Sequence, residues 1–183
     1  MFLKGSLCEL HALEPTPEET AAFTKAVNAG LTTKFMTTGS IPMRQIDFKE
    51  WVESERKQKA ILFGIYTLSG IFIGITGLHS FRDVYHSAEL RILIFDPSAI
   101  GHGIGKEATK LVVQYGFERM NLNRCWLGVH SENVGAIACY RSVGFKEEGR
   151  LREELYTYGH YADAVRMGLL RREWKSSSPE KAR

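Results

Sequence analysis

The run AELRILIF at 88–95, followed after four residues by IGHGIGKEA at 100–108, constrains this chain more than any other stretch. Alternation and β-branched residues make the first run a strand. Beyond the glycines, Ile104, Ala108, Leu111, Val112 and Tyr115 fall on one face of a helix. Strand, glycine loop and helix in that order call for an α/β arrangement. They also build an anion site. Backbone N–H groups of the loop and first helical turn point outward, and the helix dipole favours negative charge there. Successive amides form a nest for phosphate oxygens, so a pyrophosphate is the expected guest.

Two familiar phosphate loops do not fit. A Walker A loop needs Gly at 100 and Ser or Thr at 107, where this chain has Ile100 and Glu107. A dinucleotide fingerprint fits nominally as Gly103-x-Gly105-x-x-Ala108. Its acidic residue about twenty positions on is missing, because the region reads CWLGVH.

The rest of the chain supplies strands and helices in an order that suits one mixed domain. Residues 2–13 alternate loosely and read as a first strand. Thr16-Pro17-Glu18-Glu19 opens a helix, with Thr16 as cap and Glu19 as its reciprocal partner. Asp47 with Glu50 repeats the pattern before a short helix containing Trp51. The runs 61–67 and 71–81 form a hairpin through Leu68-Ser69-Gly70, and a loop at Arg82-Asp83 leads into 88–95. CWLGV at 125–129 is a buried strand. Asn133 to Val143 is a helix ended by Gly144. Residues up to Leu170 form two strands turning at Tyr158-Gly159.

With 183 residues the chain is expected to hold one domain over 1–174 and a disordered polar tail at 175–183. A net charge of +3, with no run of like charges, gives no argument for nucleic acid. Three scattered cysteines, Cys8, Cys125 and Cys139, give neither a disulfide framework nor a metal site. The first residues lack a signal-peptide core, and no apolar run approaches the roughly 20 residues needed to cross a bilayer. A reduced, cytoplasmic protein without membrane or nucleic-acid partners is expected.

Three segments resemble the GNAT superfamily of N-acetyltransferases. Gly103-Ile104-Gly105 supplies the second half of that family's Arg/Gln-x-x-Gly-x-Gly/Ala loop, while Ile100 departs from its first position. SENVGAIACYRSVGF at 131–145 is similar to the family's Glu-Asn-x-x-Ala-x-x-x-Tyr-x-x-x-Gly-Phe stretch. EEGRLREELYTYGHYADAVRMGLL at 147–170 resembles the branch of spermidine and ribosomal-protein N-terminal acetyltransferases. The specific likeness covers 86–172; residues 1–85 match only in general plan. It implies a GNAT-like α/β (α+β) domain with a mostly antiparallel sheet and flanking helices. The strands at 89–95 and 125–129 are then expected to splay. The co-substrate is acetyl-CoA, its pantetheine arm pairing with the backbone of Ile92, Leu93 and Ile94. Its pyrophosphate would lie on the amides of Gly101, His102, Gly103, Ile104, Gly105 and Lys106.

Acetyl transfer to an amine needs a neutral amine, a stabilised oxyanion and a proton for the leaving thiolate. Tyr140, one turn after Ala136 and next to the sulfur position that the resemblance implies, is the candidate acid; periodicity alone reads it as a core tyrosine. Asn133 caps its helix or bonds to the pantetheine arm. Glu89 is the candidate base, because a lysine-like amine of pKa about 10.4 is free only about one part in a thousand at pH 7. His79, His130 and His160 are alternatives. Cys139 reads as packing, and Lys106 meets a phosphate or faces solvent. The acceptor stays open between a polyamine, an amino sugar and a peptide N-terminus. Glu50, Glu53 and Glu55 would suit a polyamine; Phe35, Trp51, Phe81 and Tyr85 would suit a ring. A non-catalytic acyl-CoA-binding module is the alternative function, no metal is expected, and unpaired terminal strands offer a homodimer.

Overall fold

The computed structural model describes residues 2–30, 34–35, 41–157 and 159–174. The expected tail and Tyr158 of the last turn lie outside the described residues. Eight strands form one sheet. In chain order they are β1 (Phe2–Lys4), β2 (Cys8–Ala12), β3 (Ile61–Thr67), β4 (Phe72–Arg82), β5 (Ser87–Ile94), β6 (Arg124–His130), β7 (Lys146–Thr157) and β8 (His160–Leu170). Their order across the sheet is β1-β2-β3-β4-β5-β6-β8-β7. Every pairing is antiparallel except β5 with β6.

Helices α1 (Pro17–Ala29) and α2 (Gln45–Lys57) cover one face, and α3 (Ile104–Glu118) and α4 (Val134–Val143) the other. On the first face Phe23 stacks on Phe48 over Leu62, Leu93 and Phe95. On the second, Ala108 and Val112 of α3 and Ile137 and Tyr140 of α4 pack on Leu90, Cys125, Leu127 and Met167. Strand alternation decides which residue goes where: Ala88 and Leu90 face α3, while Glu89 and Arg91 face α2.

The helix signals in the sequence hold where capping chemistry is local. Thr16 Oγ1 accepts from Glu19 N at 3.2 Å, and Thr16 N donates back to Glu19 Oε2 at 3.1 Å. Gly144 ends α4 in the left-handed conformation, φ 115°. Two expectations are corrected. Residues 2–13 are two strands, because Gly5-Ser6-Leu7 turns back on itself, with Gly5 N donating to Cys8 O at 2.9 Å. The second helix starts at Gln45, before Asp47. Asp47 is the third helical residue, and its carboxylate accepts from Arg44 N at 2.7 Å. Asp47 thus fills the reciprocal role that Glu50 was expected to fill. No helix of the described residues is long and apolar enough to cross a membrane. Among the same residues there is no cluster of His, Cys, Asp and Glu able to hold a metal.

Candidate active site

Strands β5 and β6 pair at only three positions: Ser87 with Arg124, Ala88 with Cys125 and Glu89 with Trp126. Beyond Glu89, β5 pairs only with β4, as far as Gly74–Ile94. Beyond Trp126, β6 pairs only with β8, as far as His130–Ala164. The middle of the sheet therefore opens into a wedge. Along it, the β6-facing edge of Ile92, Leu93 and Ile94 has no strand partner among the described residues. An unpaired strand edge is a template for another extended chain.

The glycine loop stands at the open end of this wedge. After β5, a short turn at Pro97–Ala99 is capped by Asp96, whose carboxylate accepts from Ser98 N at 2.9 Å. Gly101 and Gly103 are left-handed, φ 85° and 84°. Gly103 caps α3 with no side-chain hydrogen bond. The first-turn amides of α3 therefore have no side-chain cap, an arrangement that suits phosphate oxygens. Gly101, His102, Gly103 and Lys106 are exposed, while Ile104 is buried as an anchor. Ile100, at the position where the family carries Arg or Gln, is 52% exposed. Gly103→Ala is expected to lower stability by about 1 kcal/mol, since a Cβ at positive φ is strained. Leu7 Cδ1 would also lie 3.2 Å from the new Cβ. Thermal unfolding measures this.

Tyr140 lies on the α3 face, buried with Ile137 and Val143, its ring edge-on to Phe145 at 6.0 Å. Burial pushes its phenol well above the ordinary tyrosine range, and the neighbouring Cys139 adds to this. Asn133 caps α4, its Oδ1 accepting from Ala136 N at 3.1 Å. Cys139 is half-buried on the same helix, and burial raises its thiol while the nearby Lys106 opposes the shift.

Glu89 is at the apex of the wedge on the opposite face. It accepts from Arg91 Nη2 at 2.7 Å and from Ser80 Oγ at 3.1 Å. Beside it, His79 Nδ1 lies 2.7 Å from Glu55 Oε2, with Arg91 3.6 Å from the same carboxylate. Burial lowers the His79 pKa, partly offset by the hydrogen bond to Glu55. His130 is buried at the far end of β6 against Phe35, and its Nδ1 accepts from Glu132 N at 3.3 Å. His160 sits apart, exposed and 3.1 Å from Glu132. Tyr140 and Glu89 therefore occupy opposite faces of the sheet, joined through the gap between β5 and β6.

Two arrangements carry no signal in the sequence read alone. The Glu55–His79–Arg91–Glu89 chain joins α2 to β4 and β5; the alternation of Glu89 and Arg91 hints at a shared face but not at its partners. Glu107, in the first turn of α3, reaches about one hundred residues back to the β1–β2 turn. There its carboxylate accepts from Ser6 N, Ser6 Oγ, Leu7 N and Cys8 N at 2.6–2.9 Å.

Comparison with known proteins agrees with this geometry. A family model described as an acetyltransferase (GNAT) domain matches residues 10–146. Spermidine N(1)-acetyltransferase of Escherichia coli (strain K12) is 37% identical over 101 residues, 55% of this chain and 54% of that protein. The match thus spans about half the length of that curated relative. The putative ribosomal N-acetyltransferase YdaF of Bacillus subtilis (strain 168) is 30% identical over 170 residues, 91% of this chain and 92% of the relative. The crystal structure of spermidine N-acetyltransferase from Vibrio cholerae, in complex with CoA and spermine, superposes with a TM-score of 0.80 at 25% identity. It covers 92% of this chain and 98% of the other. With the splayed strands, the glycine loop and a family match over most of its length, the chain belongs to the GNAT acetyltransferase family.

Proposed function

We propose that this protein transfers the acetyl group of acetyl-CoA directly to a primary amine. The observation that carries the reading is the wedge between β5 and β6, with a helix N-terminus that has no side-chain cap at its mouth. The unpaired edge at Ile92–Ile94 suits the amide-rich pantetheine arm. The amides from Gly101 to Lys106 suit the diphosphate, and Asn133 has a side-chain N–H₂ left for the arm after capping α4. Acetyl-CoA supplies the activated acyl group; the protein's residues supply position and protons.

Tyr140 acts as the acid. Burial keeps its phenol protonated, so it stays a hydrogen-bond donor to the departing thiolate as negative charge develops on the sulfur. Glu89, on the other face, takes the proton of the incoming amine directly or through a water, while Arg91 and Ser80 fix its carboxylate. Acid and base on opposite sides of one gap suit a direct transfer in which both substrates are bound together. We read residues 1–174 as one catalytic domain, and the outer edges of β1 and β7, which carry no further strand among the described residues, support self-association.

The test is release of CoA thiol from acetyl-CoA across a panel of amines, together with the melting temperature with and without acetyl-CoA. Turnover on any amine, with a raised melting temperature, supports the enzyme. A raised melting temperature without turnover on any amine supports a non-catalytic acyl-CoA-binding module instead. No shift at all sinks the assignment of the wedge.

A further inference from the structure

The α2-facing side of the sheet continues past Glu89 onto β6 and β8. There an open cavity of about 500 Å³ is lined by Arg82, Tyr85, Arg124, Trp126, Glu148 and Arg166. Trp126 is the sheet neighbour of Glu89, so the cavity begins one strand away from the candidate base. Two guanidinium groups lie over the Trp126 ring, Arg166 at 5.4 Å and Arg82 at 6.0 Å from its centroid. Gly128 makes room for this. A Cβ there would lie 3.0 Å from Arg166 Nη1, so glycine leaves the guanidinium room beside β6.

The charges do not cancel. Arg124 pairs with Glu148 at two oxygens, and Arg166 reaches Glu154 at 3.2 Å. Arg82, the last residue of β4, has no carboxylate partner among the described residues; its guanidinium lies against the Trp126 indole. A guanidinium held against an aromatic face, beside a second one, with no anion to balance it, makes a positive cavity. Its forked donors match two oxygens of a carboxylate or phosphate.

We propose that this cavity binds an anionic group, carboxylate or phosphate, carried by the amine acceptor itself. The proposal rests on the acetyltransferase reading above and gives the acceptor its class. One or two strand spacings separate Glu89 from the two arginines, so the anion lies roughly 5–10 Å from the amine. An acidic side chain near a peptide N-terminus and the phosphate of an amino sugar phosphate both meet that spacing. The exposed Tyr85 offers a flat face for the intervening atoms. A polycation brings more positive charge to a site that already holds an unbalanced guanidinium.

The experiment compares CoA-thiol release on matched acceptors: glucosamine 6-phosphate against glucosamine, a peptide beginning Ala-Glu against one beginning Ala-Lys, and spermidine. In at least one pair the anionic member should have the higher kcat/KM by about tenfold, the effect of one charge-assisted hydrogen bond. Arg82→Gln should remove most of that ratio. The pair that responds identifies the source of the anion. Equal rates within both pairs, or spermidine ahead of every other acceptor, overturns the proposal. If no amine turns over, inorganic phosphate decides, read by intrinsic fluorescence with Trp126→Phe as control. An Arg82-dependent change then keeps the anion site while the acetyltransferase reading fails. No change overturns the site as well.

Discussion

Tyr140→Phe is expected to lower kcat by about 10²–10³-fold, the usual contribution of a positioned general acid. The melting temperature and the affinity for acetyl-CoA should stay nearly unchanged. The substitution removes one oxygen and keeps the ring that packs against Phe145 and fills the space beside Ile137 and Val143. Among the described residues the phenol has no hydrogen-bond partner, so its loss leaves no buried group unsatisfied. The pH behaviour separates this role from a packing role. Burial raises the phenol, so it stays protonated through neutral and mildly alkaline pH. Neither limb of the wild-type pH–rate profile then belongs to Tyr140, and the variant should keep the same limbs at a lower height. For stability the sign follows from the raised value. The folded state holds the proton more tightly than the unfolded state, so its contribution is complete below the unfolded pKa of about 10 and fades above it. In Tyr140→Phe that alkaline loss of stability should shrink. A kcat equal to wild type would show that the tyrosine only packs.

What could be read beforehand follows from the range of the interactions. Thr16-Pro17-Glu19 and Gly144 were legible because a cap is settled within four residues. The wedge was legible only through resemblance. Nothing in the alternation of 88–95 says that pairing stops at Glu89, because a strand loses its partner through the path of the neighbouring chain. In the sequence two carboxylates, Asp47 and Glu50, compete for the reciprocal step of the capping pattern. The hydrogen bond from Arg44 N decided between them. Residues 2–13 read as one strand in the sequence because a three-residue turn barely breaks an alternating pattern. Glu55, which the sequence offers with Glu50 and Glu53 as a polyamine contact, is the partner of His79. Trp126 looked like one apolar residue among others. Its two guanidinium neighbours come from β4 and β8, tens of residues away, so strand alternation alone does not bring them together.

Glu107→Ala is expected to lower stability by about 2–4 kcal/mol, below the sum of its bonds because part of the carboxylate is solvated. The residue fastens the first turn of α3 to the β1–β2 turn through four donors. It also sits near a helix N-terminus, where negative charge is favoured. Burial alone would raise its pKa, but Ser6 and the amides of Leu7, Ser6 and Cys8 outweigh it and hold the carboxyl below the usual range. The contribution is therefore present above the unfolded value of about 4.3 and is lost as pH falls through the lowered folded value. The gap between wild type and Glu107→Ala should be full at pH 7 and close in stronger acid. Cys8 sits in the same cluster. Burial first, and then the Glu107 charge, push its thiol up to about 12, so it stays a neutral donor and offers no competing charge. Gly5 gives an independent check, because a Cβ there would fall inside van der Waals contact with the Glu107 carboxylate. Gly5→Ala should therefore destabilise wild type but cost much less once Glu107 is Ala, a coupling that two separate sites would not show. The same fastening sets where the amides of Ile104, Gly105 and Lys106 stand. Glu107→Ala should thus weaken acetyl-CoA binding as well, even at temperatures where the fold is intact. Unchanged binding would mean that the glycine loop holds its shape without the β1–β2 turn.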